Sequence, residues 1–150
     1  NPGFESGATS WTATAGVIAQ NGPSEPAHSG TWNAWMCGYG TTHTDTVYQQ
    51  VTIPSTITSA TLSFWLHIDS AETTTTTAYD TVKIQIRNSS NTVLATLATY
   101  SNLNKATGYS QKSFDLSAYK GQTIRVYLLA TEDSSLQTSF VFDDFALNTK

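Results

Sequence analysis

Apolar residues recur at every second position along this chain of 150 residues, and no segment sustains a helical period. In Ala60–Ile68, Leu62, Phe64, Leu66 and Ile68 share one face, while Ser63, Trp65 and His67 share the other. Thr81–Arg87 alternates in the same way, with Val82, Ile84 and Ile86 inward and Lys83, Gln85 and Arg87 outward. Asn88–Asn91 reads as a hairpin turn into a strand over 93–97. Further strands are predicted over 123–130 and 139–147, with shorter ones over 15–20, 32–36, 46–53 and 109–116. Pro54 closes one of them, because proline cannot donate to a ladder. Many short strands separated by turn residues predict an all-β sandwich or barrel spanning 1–150 as a single unit. Thr73–Thr77 reads as an exposed loop between two strands, and Lys150 falls just past the last strand, as expected of a complete unit.

Composition agrees. Charged residues make up 12%, against roughly 25% in an average soluble protein, and Ser and Thr take their place. A hydroxyl-rich, aromatic-rich chain suits a pleated, half-buried surface. The net charge of −4 leaves no basic stripe for nucleic acid. No apolar run reaches the length of a membrane span. Asn1–Glu5 is not a signal peptide, and the single cysteine, Cys37, can form no internal disulfide and reads as a small buried hydrophobe.

Three segments carry a resemblance. Asn1-Pro2-Gly3-Phe4-Glu5-Ser6-Gly7, with Trp11 soon after, resembles the opening of jelly-roll carbohydrate-binding modules and galactose-binding-like domains. His28-Ser29-Gly30-Thr31-Trp32-Asn33-Ala34 resembles their H-S-G loop and following strand, and Phe142-Asp143-Asp144-Phe145-Ala146-Leu147 their closing strand. The chain is similar to C-terminal modules of secreted bacterial peptidases and glycoside hydrolases. The resemblance implies a two-sheet antiparallel β-sandwich of jelly-roll topology. It also implies a secreted, extracellular location and a non-catalytic role beside the catalytic domain of the same parent chain. Polysaccharide or another glycan is the expected partner, with nucleic acid and membrane excluded. The alternative is a structural accessory domain of a secreted peptidase that binds protein.

The resemblance also implies a structural calcium held by Glu5 and by Asp143 or Asp144, with Ser29 and Asn33 adding oxygens. Calcium takes 6–8 oxygen ligands, which carboxylates and loop carbonyls can supply. Strand parity allows only one of the two aspartates to face inward with Val141 and Phe145. That residue is Asp143, unless a bulge shifts the register. A second acidic group, Asp69, Glu72 and Asp80 with Glu132 and Asp133, reads as a solvated loop rim or, if these loops meet, as a second calcium or ligand contact.

For a sugar, the expected site combines an aromatic platform with polar groups that reach hydroxyls. Trp65, His67, Gln85, Arg87 and Tyr127 are outward on their strands and have that mixed character, as does Lys83. Trp65 reads either as that platform or as a ring covered by a crossing loop. Trp32, Trp35 and Tyr39 are a second aromatic group, and Trp11 reads as core. No zinc-type histidine spacing and no G-x-S-x-G motif accompanies His28, His43 and His67, so no catalytic residue is assigned.

Overall fold

The computed structural model describes all residues, Asn1–Lys150, as two antiparallel five-stranded sheets packed face to face. The strands are β1 (Thr12–Ala13), β2 (Ile18–Ala19), β3 (Asn33–Cys37), β4 (His43–Thr52), β5 (Ala60–Ser70), β6 (Thr81–Asn88), β7 (Val93–Ser101), β8 (Ser110–Asp115), β9 (Thr123–Glu132) and β10 (Thr138–Thr149). Sheet I runs β1-β4-β9-β6-β7 and sheet II runs β2-β3-β10-β5-β8, a jelly-roll sandwich. The expected strand over 15–20 is only the two-residue β2, and β1 was not foreseen. Both carry too few apolar residues to show a period. β7 runs to Ser101 because its second half alternates Ala and Tyr with Thr, a weak pattern in sequence.

The inward faces interdigitate. Leu62, Phe64, Leu66 and Ile68 of β5 meet Val82, Ile84 and Ile86 of β6 and Ile124, Val126 and Leu128 of β9 in one core. Phe64 is fully buried, its ring 5.1 Å from Phe145 and 5.5 Å from Phe142. Trp11 is core as expected, 5.0 Å from both Phe4 and Phe145.

The last strand corrects one expectation. Phe140 and Phe142 face the core, so Val141 and Asp143 point to the outer side of sheet II, opposite His67 and Trp65 of β5. They are buried all the same. Segment 21–31 crosses over this face, tied down by hydrogen bonds from Asn33 Nδ2 to the Glu25 carbonyl and from Tyr109 Oη to the Pro26 carbonyl. A bulge between Asp143 and Ala146, with Asp144 at φ 48°, then turns Phe145 back into the core.

Candidate functional site

The bulge at Asp144 is what gathers the carboxylates at the corner where the chain begins. Phe145 N–H donates to the Pro2 carbonyl at 3.0 Å, binding the first residues to the last strand. Asp143 Oδ2 accepts from the His28 and Ser29 amides at 2.8 and 3.1 Å, and its Oδ1 accepts from the Asp144 amide at 2.8 Å. Burial pushes the Asp143 carboxyl up to about 6, while the Ser29, Asp144 and His28 amides pull it down. Asp144 takes the Ser29 hydroxyl at 2.8 Å and His28 Nδ1 at 2.6 Å. Glu5 accepts from the Thr31 amide at 3.0 Å and the Trp32 amide at 3.0 Å. A Cβ on Gly3 would lie 2.9 Å from Asp144 Oδ1, 3.6 Å from Asp143 Oδ1 and 3.8 Å from Glu5 Cγ, so the three side chains converge there. The donor set is all oxygen, which suits a hard cation. Asn33 stands apart, its carboxamide committed to Asn21 and the Glu25 carbonyl. Backbone amides satisfy Asp143, so its burial does not by itself require a metal.

Two tighter clusters bring three ligand atoms within 4.8 Å of one another and could hold a metal ion: Glu25 with His67 and Asp69, and Glu72 with Asp80 and Asp133. The second corrects the reading of a solvated rim. Glu72, Asp80 and Glu132 are all buried where the loops of the two sheets meet. Asp80 accepts from the Asp133 amide at 2.8 Å and the Thr138 hydroxyl at 2.6 Å.

The five expected ligand residues divide between opposite sides of the molecule. Trp65 and His67 lie on the outer face of sheet II, under the crossing segment. The His28 ring stacks on Trp65 at 4.1 Å and 16°, so one face of the indole is covered. His67 Nδ1, 2.7 Å from the Gly108 carbonyl, can only donate there. Its Nε2 is left toward Asp69 at 3.4 Å and Glu25 at 3.8 Å. Burial, then the Asp69 hydrogen bond and charge, push Glu25 up to about 8. His28, His67 and Asp69 border an open groove of about 780 Å³ that includes Tyr109 and Lys105. Trp32, Trp35 and Tyr39 form no ring cluster: Trp35 donates to Ser139 Oγ at 2.8 Å and Tyr39 packs on His43 at 4.0 Å.

Gln85, Arg87 and Tyr127 lie on the outer face of sheet I. Tyr127 pairs across the strands with Tyr48 on one side and Gln85 on the other. The two tyrosine rings stack at 5.3 Å and 10°. Arg87 Cζ lies 3.6 Å from the Tyr127 ring centre, and Arg125 Cζ lies 4.6 Å from that of Tyr48. Both contacts are in cation–π range. Arg87 Nε and Nη2 donate to Gln85 Oε1 at 3.0 and 2.7 Å, and Arg125 Nε to Gln50 Oε1 at 3.1 Å. Tyr48, Gln50 and Arg125 were missed. Alternation within 46–53 and 123–130 could have marked them as outward, but only the pairing of β4 with β9 sets them beside Tyr127.

The chain is similar over its whole length to solved β-sandwich modules. With TmCBM61, solved in complex with β-1,4-galactotriose, it shares 15% identity at a TM-score of 0.69, covering 100% of this chain and 96% of that one. The two share the jelly-roll sandwich fold. With the C-terminal family 22 carbohydrate-binding module of Clostridium thermocellum Xyn10B the TM-score is 0.60 at 12% identity, covering 99% and 90% of the two chains. With the K3 cleaved adhesin domain of Lys-gingipain from Porphyromonas gingivalis it is 0.61 at 14% identity, covering 99% and 97%. No protein-family model and no curated protein matches the sequence.

Proposed function

We propose that this chain is a non-catalytic carbohydrate-binding module of a secreted enzyme, which holds polysaccharide on the outer face of sheet I and is stabilised by calcium. The Tyr48–Tyr127 pair with its two guanidiniums carries the reading. Its Tyr48, Arg87 and Arg125 are partly exposed on the sheet face, with Tyr127 and Gln85 buried beside them, whereas Trp65 of sheet II lies under a loop. The shared fold supports the class of function, and the low-charge, hydroxyl-rich composition suits an extracellular protein. Attachment to a catalytic domain of the same parent chain follows from the same reading. For calcium, Glu5, Asp143, Asp144 and the Ser29 hydroxyl are the ligands proposed, and the ion would offset the charge those carboxylates concentrate.

The test is affinity electrophoresis of the chain through gels containing β-1,4-galactan, xylan or acidic polysaccharides. Tyr48→Ala should abolish retention, as truncating a central aromatic anchor commonly costs about 2 kcal/mol or more. Trp65→Ala should leave retention intact. Retention that survives Tyr48→Ala and disappears with Trp65→Ala would move the site to the groove on sheet II. If no polysaccharide retains the chain, the reading falls, and a protein-binding accessory domain takes its place.

A further inference from the structure

We propose that the polysaccharide held on sheet I is anionic, and that its carboxylate or sulfate groups are received by Arg87 and Arg125 together. This rests on the reading of sheet I as the glycan face and adds the ligand's charge to it. Arg87 and Arg125 are the chain's only arginines, and they are directly opposed on adjacent strands β6 and β9. Like charges so placed repel and disfavour the sheet. Elsewhere a fold relieves such a pair with a carboxylate, but none reaches either guanidinium. The four ion contacts in the molecule all join a histidine to a carboxylate.

The imbalance extends over the face. Outward positions of β4, β9 and β6 carry Thr, Tyr, Gln, Leu, Lys83, Arg87 and Arg125, and no Asp or Glu. Yet the whole chain has 11 acidic residues against 7 basic ones. The acids of these strands, Asp45 and Glu132, lie on the other, core-facing side.

What fixes the guanidiniums is neutral. Gln85 accepts from Nε and Nη2 of Arg87 and Gln50 from Nε of Arg125, and the tyrosine rings take their flat sides. An amide orients an arginine without cancelling its charge, so the remaining N–H groups stay free, already positioned and still cationic. Planar guanidinium N–H groups match carboxylate and sulfate oxygens, and such charge-assisted bonds are the strong ones. A neutral sugar would need neither the second arginine nor the exclusion of every carboxylate from the face.

The probes are polygalacturonate against its methyl ester, a sulfated galactan against its desulfated form, neutral β-1,4-galactan, and duplex DNA as a polyanion that is not a polysaccharide. The chain should be retained by polygalacturonate but not its ester if carboxylate is the group recognised. It should be retained by the sulfated galactan but not the desulfated one if sulfate is. Retention should fall as salt is added. Arg87→Gln and Arg125→Gln should each weaken binding about 10- to 100-fold, while Arg87→Lys recovers only part. Circular dichroism melting confirms that each variant is folded. If neutral galactan or the methyl ester is retained as well as its charged counterpart, the anionic ligand is overturned and the glycan module stands. If no polysaccharide is retained, or only duplex DNA is, both fall.

Discussion

Gly30 has a φ of 63°, and a Cβ built on it would stand 2.3 Å from Glu5 Oε1. The glycine of the H-S-G stretch is thus what lets Glu5 reach the Thr31 and Trp32 amides, and Gly3 gives Asp144 the same room. Gly22, at φ 55° with nothing within 4 Å of a Cβ, separates backbone strain from collision. Gly22→Ala should cost about 1 kcal/mol from φ alone, and Gly30→Ala about 2–4 kcal/mol because overpacking adds to it. Urea denaturation of the two variants measures the difference, and equal midpoints would remove the steric role assigned to Gly30. Glu5, Asp143 and Asp144 were legible as a group because short motifs at the two ends of the chain marked them. Where Asp143 points was not. A left-handed aspartate at 144 is a backbone choice that the N-terminal loop and Phe145 make together, and alternation along the strand cannot foretell it.

Along the elements, alternation placed the β5 side chains correctly, since Leu62, Phe64, Leu66 and Ile68 are all buried and Ser63, Trp65 and His67 are not fully so. Phe64→Ala should cost about 3–5 kcal/mol by opening a cavity among Phe114, Phe142 and Phe145. Ser63→Ala on the other face should stay within about 0.5 kcal/mol. Similar unfolding midpoints for the two would refute the register. Alternation says which side chains leave the core but not which sheet they leave from. That is why Trp65 and His67 on β5 could not be told apart in sequence from Gln85, Arg87 and Tyr127 on β6 and β9. The division is set by long-range strand order, with β5 beside β10 and β9 between β4 and β6.

For the molecule as a whole, two buried acids and the calcium proposed for it should set opposite pH trends. Asp143 and Glu25, raised to about 6 and about 8 from 3.8 and 4.5, keep protons in the folded state that the unfolded chain releases. Between those limits the native state binds more protons, so its stability falls as pH rises. The chelated protein should therefore melt higher at about pH 5 than at about pH 8, and a midpoint that instead climbs would refute this. Calcium competes with protons for carboxylates, so the midpoint gained from it should grow over the same range. A hundredfold excess over Kd is worth about 2.7 kcal/mol. Glu5→Gln should erase that gain and Asp80→Asn should not. The reverse pattern would place the ion among Glu72, Asp80 and Asp133.

The position of β10 bears on synthesis. It is the central strand of sheet II, flanked by β3 and β5, and it follows every other strand in the chain. A ribosome therefore releases β3 and β5 long before the strand that joins them exists, and the first residues wait for the bulge at Asp144 to dock. Sheet II cannot close on a nascent chain that stops short of Thr138, where β10 begins. Stalled intermediates should expose its bare strand edges, the surfaces that chaperones guard against misassembly.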